Sequence, residues 1–339
     1  MLWTVFIFII VVLIYLHLVE QYKKGEELEI YEIDYTDCAH LQQVCKSKQP
    51  IIFEFSSILP ERHTIDDLAN KYGKKNVYIK DTHDFYNKSI DTEPNIHRNI
   101  GVPLSLESSL KLLTSDTRSH YISDSNSDFI NDTFLENHYD ELDEFIKPNL
   151  TICKTRDLMF GSKNSSTMLQ YNTEYNHFLY VTRGKIRVKM TPYKSKKYLY
   201  ETRDYYSYIF YSPLNIWIIQ EEYKDEFERI QFLDFDVLSG NMLFIPPFWW
   251  YSIQYEEAET LILSSKYSTM MNVVANSYNL CNYTIMQYTT NVDDTNIKKV
   301  IRYNSDGHDD DRGENVNRGK SENGKNDENE EEIIIPVAL

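Results

Sequence analysis

Cysteine is scarce in this chain: Cys38, Cys45, Cys153 and Cys281 are the four among 339 residues, and none forms a CxxC pair. That spacing fits core thiols in a reducing compartment better than a disulfide framework. Glycine is sparse as well, at 10 residues. No glycine loop of either common phosphate-cradling type occurs, so nucleotide-dependent chemistry has no support. Basic residues are outnumbered, 35 Lys and Arg against 52 Asp and Glu, for a net charge of -17. Without a basic stripe, DNA and RNA are excluded as partners. No internal repeat is present, so a solenoid is excluded too.

Charge is also missing from Leu2 to Val19, LWTVFIFIIVVLIYLHLV, where Thr4, Tyr15 and His17 carry polar atoms, as does Trp3 in its indole N–H. A run of this length and composition is that of a helix crossing a bilayer. His17 lies near the end, where it can reach the interface. A cleaved signal would need a basic leading region and a small-residue cleavage site, whereas this run passes directly into EQYKKGEELE. Residues 2–19 are therefore expected to be a single-pass anchor whose partner is the lipid bilayer. Lys23 and Lys24 follow it immediately, which places the N-terminus outside and the body in the cytosol. Asn87, Asn131, Asn149, Asn164 and Asn282 head N-x-S/T sequons that would matter only in a lumenal domain.

Residues 20–32 read as a juxtamembrane linker, 33–303 as one folded domain and 304–339 as an acidic tail. From Asn304 to Glu332 eleven Asp or Glu stand against four Lys or Arg. With no periodic apolar positions, that segment is expected to be disordered. The closing IIIPVAL is apolar and reads as a frayed end or a docking peptide.

Within the domain, QPIIFEFSSI reads as a buried strand, TIDDLANKYG as a helix closed by Gly73 and NVYIKD as a second strand. LENHYDELDEFIKP is helical in pattern and stops at Pro148. From about Leu158 onward the segments HFLYVTRG, KIRVKMTPY, YSYIF, ERIQFLDFDVL, NMLFIPPFWWYSIQY and TLILSSKY follow one another as strands. Turn residues such as Arg183-Gly184, Ser239-Gly240 and Pro246-Pro247 punctuate them. The fold class is mainly β, a jelly roll with helical additions and the N-terminal transmembrane helix.

The stretch LSGNMLFIPPFWWYSI, Leu238 to Ile253, resembles the cupin-like branch of the JmjC family, which includes an asparaginyl hydroxylase acting on hypoxia-inducible factor. There a glycine turn leads into an aliphatic-Pro strand and two aromatics before a metal-binding His. TMLQYNTEYNHFLYVTRGKIRVKMTPY is similar to the strand pair carrying that family's first His and its acidic residue. KQPIIFEF resembles its entry strand. The resemblance spans roughly residues 33 to 290 and implies a double-stranded β-helix.

It also implies a facial triad of two His and one carboxylate on Fe(II), with 2-oxoglutarate as cosubstrate. The positions matched to that triad are Tyr171, Thr173 and Tyr251. A tyrosine must lose a proton with a pKa near 10 to bind metal, and a threonine hydroxyl is a poor ligand. No histidine occurs between His177 and His308, so the second His cannot be supplied by a late strand. His138-Tyr139-Asp140 is a literal His-x-Asp, but it lies in the acidic helical segment. By the same resemblance the family's basic residue for 2-oxoglutarate would fall at or near Ile186. Lys185 and Arg187 flank it, and strand alternation turns them to the opposite face.

The pocket region is thus expected to hold Glu174, His177, Lys185, Arg187, Trp249 and Trp250, with no metal and no cofactor. The leading expectation is a membrane-anchored, catalytically inactive scaffold or binding module with an unknown protein partner. The alternatives are an oxygenase or hydrolase with a rearranged site using Tyr171, Glu174, His177 and Tyr251, for which Fe(II) and 2-oxoglutarate would be the cofactors, and a binder of a small polar ligand.

Overall fold

The structure is a computed structural model that describes residues 2–59, 65–87 and 101–289. The expected acidic tail at 304–339 and the domain boundary at 303 lie outside the described residues. Leu2–Gln21 forms helix α1. It is long and apolar enough to cross a membrane, and none of its central span is buried.

Beyond α1, residues 277–289 are helical, and the other helices among the described residues are short. They are α2 (Cys38–Cys45), α3 (Ile65–Tyr72), α4 (Thr82–Asn87), α5 (Leu106–Ser115) and α6 (Ser127–Asn131). Then come α7 (Leu135–Ile146), α8 (Lys224–Phe227) and α9 (Met270–Ala275). Asp37 caps α2 by accepting the His40 N–H at 2.8 Å, which satisfies one of the free donors of the first turn.

Strands alternate with these helices in the first half: β1 (Tyr31–Glu32), β2 (Ile51–Glu54), β3 (Asn76–Asp81), β4 (Val102–Ser105), β5 (Tyr121–Ser123) and β6 (Thr151–Gly161). The second half adds β7 (Gln170–Tyr171), β8 (Asn176–Arg183), β9 (Lys185–Thr191), β10 (Thr202–Asp204) and β11 (Ile209–Tyr211). It ends with β12 (Leu233–Leu238), β13 (Asn241–Ile245), β14 (Trp250–Tyr255) and β15 (Leu261–Thr269). They build a nine-stranded sheet ordered β1-β2-β13-β8-β15-β6-β5-β3-β4 and a six-stranded sheet ordered β10-β11-β7-β14-β9-β12.

The sheets pack face to face. Leu179, Val181, Leu243, Ile245 and Ile262 of the large sheet share one core with Ile186, Val188, Met190, Ile253 and Tyr255 of the small one. The opposite face of the large sheet presents Phe178, Tyr180, Met242 and Phe244 to α2, α3, α5 and α7. Covered on both faces, β8 reads as a nearly continuous apolar run. Two glycines sit at positive φ: Gly184 (φ +77) turns β8 into β9, and Gly240 (φ +89) turns β12 into β13. At Gly240 an added Cβ would also meet the Ser56 side chain at 2.9 Å.

NVYIKD is β3 residue for residue. NMLFIPPFWWYSIQY is divided into β13 and β14, because Pro246 and Pro247 lack the N–H a ladder needs. Two expectations are corrected. The run of strands begins at Thr151 rather than near Leu158. Of the four cysteines only Cys45 is a core thiol, since Cys153 and Cys281 are exposed and Cys38 is intermediate.

Candidate functional site

The end of the sandwich where β7, β8, β14 and β15 meet encloses a cavity of about 430 Å³. It is lined by Asp157, Gln170, Tyr171, Asn172, Glu174, His177, Tyr251, Ser264 and Lys266, together with Tyr206, Tyr208 and Tyr283. The register sets this convergence: Tyr251 on β14 pairs with Gln170 on β7, and Lys266 on β15 pairs with His177 on β8.

Tyr251 is the hub. Its hydroxyl accepts from Gln170 Nε2 and from Asn172 Nδ2, each at 3.1 Å. Asn172 Nδ2 also donates to His177 Nδ1 at 2.8 Å, and His177 Nε2 is 3.0 Å from Ser264 Oγ. Lys266 Nζ donates to Asn172 Oδ1 at 3.3 Å. The Asn172 amide therefore uses both N–H groups and its oxygen, the orientation that satisfies every partner.

Charge is distributed unevenly around this network. Burial, with Lys266 nearby, holds the His177 pKa well below its ordinary value, so the ring is neutral. Burial opposes the charge on Lys266, but Glu174, Tyr251, Asp157 and Asp124 hold its pKa above the usual lysine value. Burial and the nearby Asp124 push the Asp157 carboxyl up to about 6, even though it accepts N–H groups of Ser125 at 2.8 Å and Asn126 at 2.7 Å. Burial also raises the Tyr251 phenol above its usual range.

Of the expected trio, Tyr171 and Tyr251 line the cavity and Thr173 does not. The Tyr171 hydroxyl turns away to donate to Glu201, which also pairs with Lys196 at 2.6 Å. Thr173 Oγ1 meets the Tyr208 hydroxyl at 3.3 Å. Gln170 and Asn172, one residue earlier in each case, are the side chains that meet Tyr251. In an extended segment neighbouring side chains face opposite ways, so Gln170 and Tyr171 make different hydrogen bonds, Gln170 to Tyr251 and Tyr171 to Glu201.

The other expected residues divide. Glu174 and His177 line the cavity. Lys185 and Arg187 do not: Lys185 pairs with Asp236 at 2.8 Å and Glu256 at 2.7 Å, and Arg187 pairs with Asp234 at 2.6 Å, on the outer face of the small sheet. Ile186 between them is in the core, as period-two alternation requires. Trp249 and Trp250 are core residues as well. Trp249 Nε1 donates to the Lys48 carbonyl at 3.1 Å, and Trp250 packs edge-on against Tyr171 at 4.7 Å. His138 and Asp140 lie on α7, and neither lines the cavity.

Gln170, Asn172, Asp157, Ser264 and Lys266 escaped the sequence reading. The one local signal was Lys266, a lone cation inside the apolar run LILSSKY.

An iron centre of the facial-triad type needs two imidazoles and a carboxylate with free lone pairs. The three convergent positions hold two amides and a phenol. The neighbouring imidazole has its Nδ1 lone pair engaged by Asn172. Among the described residues no three His, Cys, Asp or Glu side chains are grouped to hold a metal ion. These residues do not fit such an ion.

A family model described as a cupin-like domain matches residues 40–278, more than half of the chain. Among curated proteins, none matches the sequence significantly.

Proposed function

This chain belongs to the cupin-like domain family, and from that membership we propose that it is a membrane-tethered, non-catalytic binding module whose cavity takes a small polar metabolite. The observation that carries this reading is the closed network through Asn172, which joins Gln170, Tyr251, His177 and Lys266 at the sandwich end. In the JmjC-like comparison, the scaffold residues Gly184, Gly240, Pro246, Pro247 and Trp250 are retained. The ligand positions, taken at Gln170, Asn172 and Tyr251, are not His or carboxylate. The cavity persists at about 430 Å³, within the usual size of small-molecule sites, and it offers a few polar groups to orient a guest. The projecting α1 supplies the tether.

The test is thermal unfolding of the full chain in micelles with Fe(II) and 2-oxoglutarate, and separately with a panel of sugars and carboxylate metabolites. A ligand at about a hundredfold over its dissociation constant adds roughly 2.7 kcal/mol. Stabilisation by a metabolite, abolished in Lys266→Met, is the expected result. Stabilisation that requires Fe(II) and 2-oxoglutarate together would overturn the non-catalytic reading.

A further inference from the structure

Beyond the cavity, the last described segment has its polarity reversed. Helix α9 passes through a turn at Asn276 into helical residues 277–289, and the Leu280 N–H still reaches the Asn276 carbonyl at 3.0 Å. Not one charged residue occurs between Lys266 and Asp293. The face turned to the domain is the polar one. Asn272 and Asn276 donate to the Thr173 carbonyl at 3.0 and 3.1 Å, Asn279 accepts from the Tyr205 hydroxyl at 3.3 Å, and Gln287 donates to the Tyr206 carbonyl at 2.8 Å.

The outward face carries Met270, Val274, Tyr278, Cys281, Ile285 and Tyr288, at steps of three and four that keep them on one stripe. The five other than Cys281 are between 46% and 75% exposed, and Cys281 is exposed as well. A helix facing water places charge outward; this one places aliphatic and tyrosine side chains there. The stripe is continuous with the anchor. The end of α1 packs on α9, and the Tyr22 hydroxyl donates to the Ala275 carbonyl.

We propose that the outward face of residues 270–289 lies in the headgroup–acyl boundary of the bilayer that α1 enters, an inference that rests on the anchor reading of α1. An apolar stripe rich in tyrosine and joined to a membrane helix suits that layer, where such helices settle roughly 5–10 Å deep and tyrosine is enriched. Leu280 and Tyr283 of the same segment form part of the cavity wall, so docking sets the cavity mouth beside the membrane surface.

The test uses the full chain with Cys38→Ser and Cys153→Ser in phosphatidylcholine vesicles. Cys45 is buried, so Cys281 is the thiol that takes an environment-sensitive fluorophore. A parallel chain with Cys38→Ser and Cys281→Ser is labelled at Cys153. Severalfold stronger quenching of the Cys281 label by lipid-borne nitroxide than by aqueous iodide, with the opposite order at Cys153, is the expected result. If the chain resists carbonate extraction yet the Cys281 label is quenched by iodide as Cys153 is, docking is overturned while the anchor stands. A label shielded from both quenchers, with emission that depends on protein concentration, would assign the face to a second copy and overturn docking. Release of the chain by carbonate overturns the anchor and the docking together.

Discussion

Replacing His177 by Gln changes how the stability of this protein depends on pH, and the size of the change follows from the burial of the imidazole. The folded chain holds His177 neutral, with its pKa far below the ordinary value because of burial and the adjacent Lys266. The unfolded chain takes up a proton at this residue below about pH 6.5. The unfolded state therefore binds more protons in that range, and stability falls by roughly 1.4 kcal/mol for each pH unit below 6.5. Between pH 7 and pH 5 the accumulated loss is about 2 kcal/mol. His177→Gln removes this term while keeping an acceptor for Asn172 and a donor for Ser264. The variant should thus gain about 2 kcal/mol on the parent as the pH drops from 7 to 5. Asp157, raised to about 6, titrates in the same window with the opposite sign, but it is present in both chains and cancels in the difference. Urea unfolding in micelles, followed by tryptophan fluorescence at several pH values, measures this. Parallel pH curves for the two chains would refute the neutral, enclosed imidazole.

Tyr251→Phe removes the oxygen that accepts from Gln170 and Asn172; unfolding should show a loss of about 1–3 kcal/mol from buried donors left without a partner. Lys266→Met leaves Asp157 and Glu174 without their cation. Loss of its hydrogen bond to Asn172 should cost about 1–3 kcal/mol at pH 7, and the deficit should shrink as the pH falls towards 6, because without the cation Asp157 takes up its proton at a higher pH than in the parent; a pH series of melting curves reads this directly. Gly240→Ala forces a side chain onto φ +89 beside Ser56 and should lower stability by about 1–3 kcal/mol, seen as a lower urea midpoint with an unchanged slope.

Where the fold is written in local pattern, the sequence is a good guide. β3 is visible as alternation between turn residues, and the Pro246-Pro247 break is visible because proline cannot donate to a ladder. The cupin-like character is carried by glycine turns and a late aromatic strand, features that depend on backbone geometry. The site is less legible. Its register hangs on a single residue: Tyr171 and Gln170 are neighbours in the chain yet serve different clusters, one bonded to Glu201 and the other to Tyr251. Spacing alone does not choose between adjacent positions, because neighbours in an extended segment face opposite ways. Lys266 and Asp157 sit far apart in sequence, and only the sheet brings them to one cavity. Residues 270–289 are hard to recognise as a surface element in sequence, because an outward apolar stripe has the same spacing as the buried face of a core helix.

The most direct measurement of the central claim is metal stoichiometry on three full-length chains purified with Fe(II) present under anaerobic conditions. They are the parent, a Gln170→His/Asn172→Asp/Tyr251→His chain, and the offset Tyr171→His/Thr173→Asp/Tyr251→His chain. If Gln170, Asn172 and Tyr251 converge where a facial triad would stand, the first graft binds about one equivalent of iron, while the parent and the offset graft bind none. One equivalent of iron in the parent, lost on Tyr251→Phe, would contradict the claim that this cavity is closed to metal.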